Sequence, residues 1–272
     1  MDQQVQSERQ LASPFPRVIE QPVLWGTKGK ERKAEGYKAL VNADSGMVYS
    51  IVSTGYRLIT HEEAIENVEK TLSKYPVLGR YKTETEFYND GGRMRRTYTF
   101  FDRSIDITPG DLVNPVIHLS NSYDTAWPFS LNLGAARLVC SNGLVVREKL
   151  FQVRRRHVSE LDSLHINEIL ATAMDRFQKQ TEEWKILTTK YLLPDMYEKV
   201  MMTMAFGQKA IDLVEKRMEE EAKSYTEFDF PILTLWTFFN ILTWYITYRS
   251  VSLNHRVEME KRLRGAMKHF GR

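Results

Sequence analysis

The sequence predicts an α+β fold, a mostly antiparallel sheet followed by a C-terminal helical subdomain. Three observations predict it. Up to about residue 147, short apolar runs alternate with polar residues and are cut by turn signals such as Asn89-Asp-Gly-Gly92. From Ser159 onward the apolar residues instead recur every three or four positions, the spacing of one helix face. Between the two, residues 118–146 form the least charged long run of the first two thirds, which marks them as the centre of a core. The chain then divides into an N-terminal arm (1–35), a strand-rich core (36–157) and a helical subdomain (158–272).

Each element has a local cause. In the arm, Pro14, Pro16 and Pro22 forbid a continuous helix, and Lys28-Gly-Lys-Glu-Arg-Lys33 is a solvated basic turn. Phe15, Val18, Leu24 and Trp25 leave two readings open, a flexible tail and an arm docked on a neighbouring subunit. Residues 37–58 read as two strands around the turn at 42–46. Thr60 and Glu63 form a capping box, Ile59 can staple onto Ala64, and the helix so opened is ended by Pro76. Residues 80–102 form a hairpin in which Arg93, Arg95, Thr97 and Thr99 share one face and Met94, Arg96, Tyr98 and Phe100 the other. After the turn Thr108-Pro-Gly-Asp111, a strand over 112–119 leads into the central run. There Ser120-Asn121 and Ser122-Tyr123-Asp124 read as a polar turn, and Arg137-Leu-Val-Cys140 as a buried strand ahead of the turn Ser141-Asn-Gly143.

In the second half, Leu161, Ile166, Ile169, Ala173, Phe177, Trp184, Leu187 and Tyr191 line a first long helix. Pro194 and Asp195 open a second, carried by Val200, Met204, Ile211, Val214 and Met218 to the acidic run at 219–221. Asp229 is placed to cap a third with Pro231 in its first turn, and a basic fourth spans about 253–270. The run 232–248 is apolar but shorter than the ~20 residues of a membrane span. Its Thr and Asn residues recur on one stripe, so a buried amphipathic helix is predicted and no membrane partner.

With 272 residues, 42% hydrophobic and 27% charged, the chain is of globular composition, and its formal net charge is +3. A single cysteine excludes an intrachain disulfide framework. The polar start MDQQVQSERQ lacks an apolar signal core, which predicts a cytoplasmic protein. No phosphate-binding loop, dinucleotide fingerprint, nucleophile elbow, HExxH or CxxC is present, so no catalytic residue, metal ligand or cofactor is predicted. Cys140 in an apolar strand reads as a small core residue.

Charge placement is more informative than the total. Residues 137–157 hold Arg137, Arg147, Lys149, Arg154, Arg155 and Arg156 against Glu148, six cations to one acid and a net +5. The hairpin adds Arg93, Arg95 and Arg96, whereas residues 158–222 hold 13 acids to 8 bases, net −5. Such separation fits a polyanion-binding face beside a face for water or protein. Tyr98, Phe100, Phe101, Tyr123 and Phe151 interleave with the cations, a combination that tracks a sugar-phosphate backbone while stacking bases.

Ser120-Asn-Ser-Tyr-Asp124, Arg137-Leu-Val-Cys-Ser-Asn-Gly143, Arg154-Arg-Arg-His157, Asn240-Ile-Leu-Thr-Trp244 and Tyr56-Arg-Leu-Ile-Thr60 together resemble the phage- and plasmid-borne proteins of domain-of-unknown-function family 932. The resemblance spans about 35–270. It implies a mobile-element setting in a bacterial or phage genome, hence the cytoplasm of a bacterial host cell, and supplies no catalytic residues. The order of elements also resembles, loosely, that of the phage single-strand annealing recombinases.

The expected function is therefore binding or annealing of nucleic acid, single-stranded DNA in particular, in phage or plasmid replication, recombination or repair. Its expected site is Arg93, Arg95, Arg96, Asn121, Tyr123, Arg137, Arg147, Lys149, Arg154, Arg155, Arg156 and His157. A homo-oligomer is expected. The alternative is a non-enzymatic protein-interaction module that binds a host factor through its acidic helical face; an enzyme is the less favoured reading.

Overall fold

The computed structural model describes residues 15–137, 151–155, 163–222, 224–226, 229–250, 253–267 and 270. Their order is β1 (Val18–Trp25), β2 (Arg32–Asn42), β3 (Val48–Ser53), α1 (His61–Leu72), β4 (Tyr81–Tyr88), β5 (Arg93–Phe100), β6 (Ile105–Asp106), β7 (Leu112–Ser122), β8 (Phe129–Arg137), β9 (Phe151–Arg155), α2 (Ser163–Thr189), α3 (Pro194–Met204), α4 (Gln208–Glu221), α5 (Leu235–Arg249) and α6 (Leu253–Met267). This is an α+β fold with the long helices in its second half. All strand pairs are antiparallel. The first three make one sheet in the order β1-β2-β3, and the rest make a second in the order β4-β5-β7-β8-β9, with β6 on β7.

The local signals act as their chemistry requires. Thr60 Oγ1 accepts from the Glu63 N–H at 3.0 Å, and Ile59 packs with Ala64 in one buried cluster. The β4–β5 turn holds Asn89, Asp90 and Gly91 at φ of 52°, 48° and 80°, the left-handed run an Asn-Asp-Gly sequence tolerates best. Gly92 follows because the Tyr49 ring lies where a Cβ would sit, 2.8 Å away. Gly110, at φ 84°, completes the predicted turn at 108–111, closed by Asp111 N to Thr108 O at 2.8 Å.

Two hydrophobic clusters result. One lies between α1 and the second sheet, with Ala64, Ile65, Val68 and Leu72 against Met94, Tyr98, Ile117, Leu119 and Leu131. The other fills the helical half around Phe177, Trp184, Val200, Val214, Trp236, Phe238 and Leu242. Met174 of α2 packs against both. The Trp236 indole donates to Asp111 Oδ2 at 2.7 Å, which ties the helical half to the turn before β7. Among the described residues no helix is long and apolar enough to cross a membrane.

Five expectations are corrected. Residues from Val18 on are not an arm outside the fold but a sheet strand, and residue 35 falls inside β2; Pro22 is tolerated because β1 is an edge. Ser120, Asn121 and Ser122 are strand interior, fully or nearly buried, and the turn comes after them. The predicted second helix is two, broken where Ala205 turns left-handed (φ 50°) ahead of Gly207. α5 is capped by Thr234, whose Oγ1 accepts from Thr237 N at 3.1 Å, and not by Asp229. It is buried on more than one face, its Asn240 and Thr243 bonding carbonyls within the helix. Cys140 and the turn at 141–143 lie outside the described residues.

A buried polar knot joins these layers. The Tyr123 hydroxyl accepts from the His61 N–H at 2.7 Å, and the two rings stack with centroids 4.1 Å apart. His61 Nε2 donates to the Gly91 carbonyl at 2.9 Å, and its Nδ1 accepts from Asn121 Nδ2, which also donates to the Ile59 carbonyl. The first sheet joins through Ser50 Oγ, which donates to the Tyr123 carbonyl at 2.6 Å, and Tyr49, whose hydroxyl donates to Asp90 O at 2.8 Å. Tyr123→Phe keeps the stacked ring but strands the His61 N–H. It is expected to lower unfolding free energy by about 1–3 kcal/mol, read as a shifted urea midpoint at unchanged slope.

Candidate nucleic-acid interface

The two-residue period of the sheet sorts the predicted site residues onto opposite faces. Arg96 lies on the α1 face. Its guanidinium reaches Glu69 of α1 at 2.9 Å and Thr85 Oγ1 at 2.8 Å, over the Tyr98 ring. Burial, with Glu69 beside it, pushes the Tyr98 phenol well above its ordinary range. Asn121 and Tyr123 are also interior, bound in the knot described above. These three residues hold the core together from within.

Arg93 and Arg95 lie on the opposite face, flanking Trp127, whose ring centroid is 5.6 Å from one guanidinium carbon and 5.8 Å from the other. Arg93 is neutralised: its Nε donates to Asp124 Oδ2 at 2.5 Å. That nearly buried carboxylate also accepts from Asn89 Nδ2 and from the Ala126 N–H. Arg95 has no such partner among the described residues, and its Nε is sealed from solvent. Burial lowers its pKa from the ordinary arginine value. Arg137 ends β8, and Arg154 and Arg155 end β9; only their backbones are described. Arg147, Lys149, Arg156 and His157 lie outside the described residues.

Around Arg95 the face is polar across adjacent strands. In register, Glu86, Arg95, Ser120, Ser130 and Arg154 form one row, and Glu84, Thr97, His118, Asn132 and Gln152 the next. Thr97 Oγ1 and His118 Nδ1 are 2.9 Å apart. Ser120 and Ser130 are only 7% and 4% exposed. The signal was present in sequence as alternate polar residues in His118-Leu-Ser-Asn-Ser122 and Ser130-Leu-Asn132, but reading 120–124 as a turn hid it.

Among the described residues, an open basic surface lies on the β1–β2 ribbon. Its tip turns through Lys30 N to Thr27 O at 2.8 Å with Gly29 at φ 83°, while both Glu31 carboxylate oxygens accept from the Gly29 N–H. Trp25 pairs with Arg32 and Leu24 with Lys33, so each face of the ribbon carries one large apolar side chain beside one cation. Trp25 is 58% exposed. Among the described residues Lys28, Lys30, Arg32 and Lys33 make no ion pair. Sequence reasoning named this turn but gave it no role, because its cations are few.

Among the described residues no group of three or more His, Cys, Asp and Glu side chains could hold a metal. Fold and site thus define an α+β protein on a six-stranded antiparallel sheet, with one face apolar, one face polar, and a basic ribbon beside it. The chain belongs to the family described as Domain of unknown function (DUF932), whose model matches residues 48–267. The match takes in β3 to β9 and α1 to α6, and β1 and β2 precede it. No curated protein and no solved structure matches the chain.

The Arg93–Asp124 pair ties β5 to the turn after β7. Asp124→Ala is expected to lower stability by about 2 kcal/mol. Arg93→Ala combined with it should fall short of the sum of the two single losses by roughly 1 kcal/mol, measured as a double-mutant cycle in urea.

Proposed function

We propose that this protein binds single-stranded nucleic acid, DNA in the first place, along the β1–β2 ribbon. The observation that carries the reading is the ribbon tip, where four cations without ion pairs among the described residues flank the exposed Trp25. Cations that hold a phosphate backbone, with an aromatic ring on which bases stack, suffice for sequence-tolerant binding and need no catalytic group. Of the residues expected from sequence, Arg96, Asn121 and Tyr123 do not enter this reading, because each has its partners inside the fold. The cations of the run 147–157, expected from the sequence to bind, join the same reading. A role in annealing during phage or plasmid replication, recombination or repair extends the same reading.

A second reading, self-association, is favoured by the outer face of the first sheet. Ile19 and Val48 flank Val41 in register, and Ile51 lies beside Ala39. With Tyr37, the side chains of Ile19, Val48 and Ile51 form an exposed apolar surface over the buried Ala39 and Val41, Ile51 being 59% exposed. Phe15, by contrast, packs edge-on against Phe87 within the chain, with centroids 5.5 Å apart.

Fluorescence anisotropy with a labelled oligonucleotide at several salt concentrations tests the first reading. Changing Lys28, Lys30, Arg32 and Lys33 together to alanine is expected to flatten the slope of log affinity against log salt by roughly 2–3 units. Trp25→Ala should weaken binding by about 1–3 kcal/mol. Alanine at Arg154, Arg155 and Arg156 should flatten the slope by roughly 2 units. A wild-type protein without salt-dependent binding to DNA or RNA ends the reading. For self-association, Ile51→Lys is expected to lower the mass seen by light scattering, and an already monomeric wild type removes that reading.

A further inference from the structure

Burying polar side chains is unfavourable unless each finds a partner, so unsatisfied ones call for an explanation. The face of the second sheet opposite α1 buries such atoms among the described residues, including Arg95 Nε and Asn132 Oδ1. Arg95 makes no hydrogen bond or ion pair among the described residues, and its Nε is sealed from solvent. Ser120, directly across from it on β7, is nearly buried and makes no side-chain hydrogen bond there. Ser130, next in the row, meets only a long 3.4 Å contact from Asn132 Nδ2, and Asn132 Oδ1 is buried without a partner.

Charge points the same way. Of the cations around this face, Arg93 is neutralised by Asp124, and Arg256 of α6 by Glu260 at 3.0 Å. Glu86, in register with Arg95, and Glu260 both stand close enough to act on the Arg95 charge, as do Tyr88 and Arg256, yet none is within ion-pair distance. With strands ~4.8 Å apart, the row from Arg95 through Ser120 to Ser130 runs cation, hydroxyl, hydroxyl over ~10 Å. Guanidinium and hydroxyl donors with no matching acceptor suit a compact oxyanion, and arginine matches a phosphate with two parallel hydrogen bonds.

We propose that the row Arg95–Ser120–Ser130 is a binding site for a phosphate group, carried by free phosphate or by a mononucleotide. Arg95 is the charge partner, Ser120 and Ser130 donate their hydroxyls, and Trp127 holds the arginine in place from the side. The site is separate from the basic ribbon and stands whether or not the ribbon binds nucleic acid.

Thermal unfolding with inorganic phosphate, with AMP, and with sodium chloride at matched ionic strength tests the proposal. Phosphate or AMP is expected to raise the wild-type Tm by several degrees beyond the chloride control. AMP binding at least about tenfold tighter than phosphate identifies the nucleotide as the source; equal affinity identifies free phosphate, and either upholds the site. Arg95→Met is expected to abolish the shift. It should also raise the Tm without ligand, since it removes a buried, unpaired charge, whereas loss of a purely structural arginine would lower it. Should Arg95→Met fail to fold, Ser120→Ala serves in its place and should weaken the phosphate-induced shift. No shift beyond chloride in the wild type, or an unchanged shift in the folded variants, overturns the proposal. The alanine variant of the four ribbon cations is expected to keep the phosphate shift while losing oligonucleotide binding, so the two sites fail independently.

Discussion

The fold depends on a buried imidazole that has to find a partner at every polar atom. His61 opens α1, and its backbone N–H and both ring nitrogens are engaged by Tyr123, Gly91 and Asn121. Once that knot is tied, the first turn of α1 is fixed on β7, and Leu119 and Ile117 must meet the helix because side chains alternate along a strand. The same alternation leaves Ser120 and His118 no choice but the opposite face. Ser50 and Tyr49 then bring the first sheet to the same place. A polar cluster with no access to water thus sets which surface becomes core and which becomes site.

Elements whose signals are local were legible in the sequence. The Asn-Asp-Gly-Gly turn, the Thr60 cap and the turn at 108–111 each rest on backbone angles or hydrogen bonds within four residues. Elements decided by distant partners were not. Pro22 argues against a strand until β2 makes β1 an edge. Ser120-Asn121-Ser122 looks like a turn until β5 and β8 pair with it on either side. Thr234 outcompetes Asp229 as a cap because the backbone pairing of Leu192 with Leu233 and of Lys190 with Leu235 fixes where α5 starts.

The candidate site was legible in residue type and not in geometry. Clusters of arginine in sequence suggested one continuous basic surface, but in the hairpin adjacent arginines point apart by construction. Arg96 meets Glu69, Arg93 meets Asp124, and Arg95 alone of the three keeps its charge uncompensated at close range. A count of charges cannot separate these fates, since the acids that answer them are 27 and 31 residues away. Trp127 was equally out of reach, because only the close of the β7–β8 turn brings it over the two guanidinium groups.

Met174 gives the molecule a mechanical link. It sits on α2, a 27-residue rod of roughly 40 Å, and touches both hydrophobic clusters. Neither cluster can loosen without withdrawing packing from a side chain that the other also holds. The thioether is pliant enough to fit two differently shaped surroundings at once. The sheet and the helical bundle therefore share packing through that rod, whereas the tip of the ribbon stands outside both clusters.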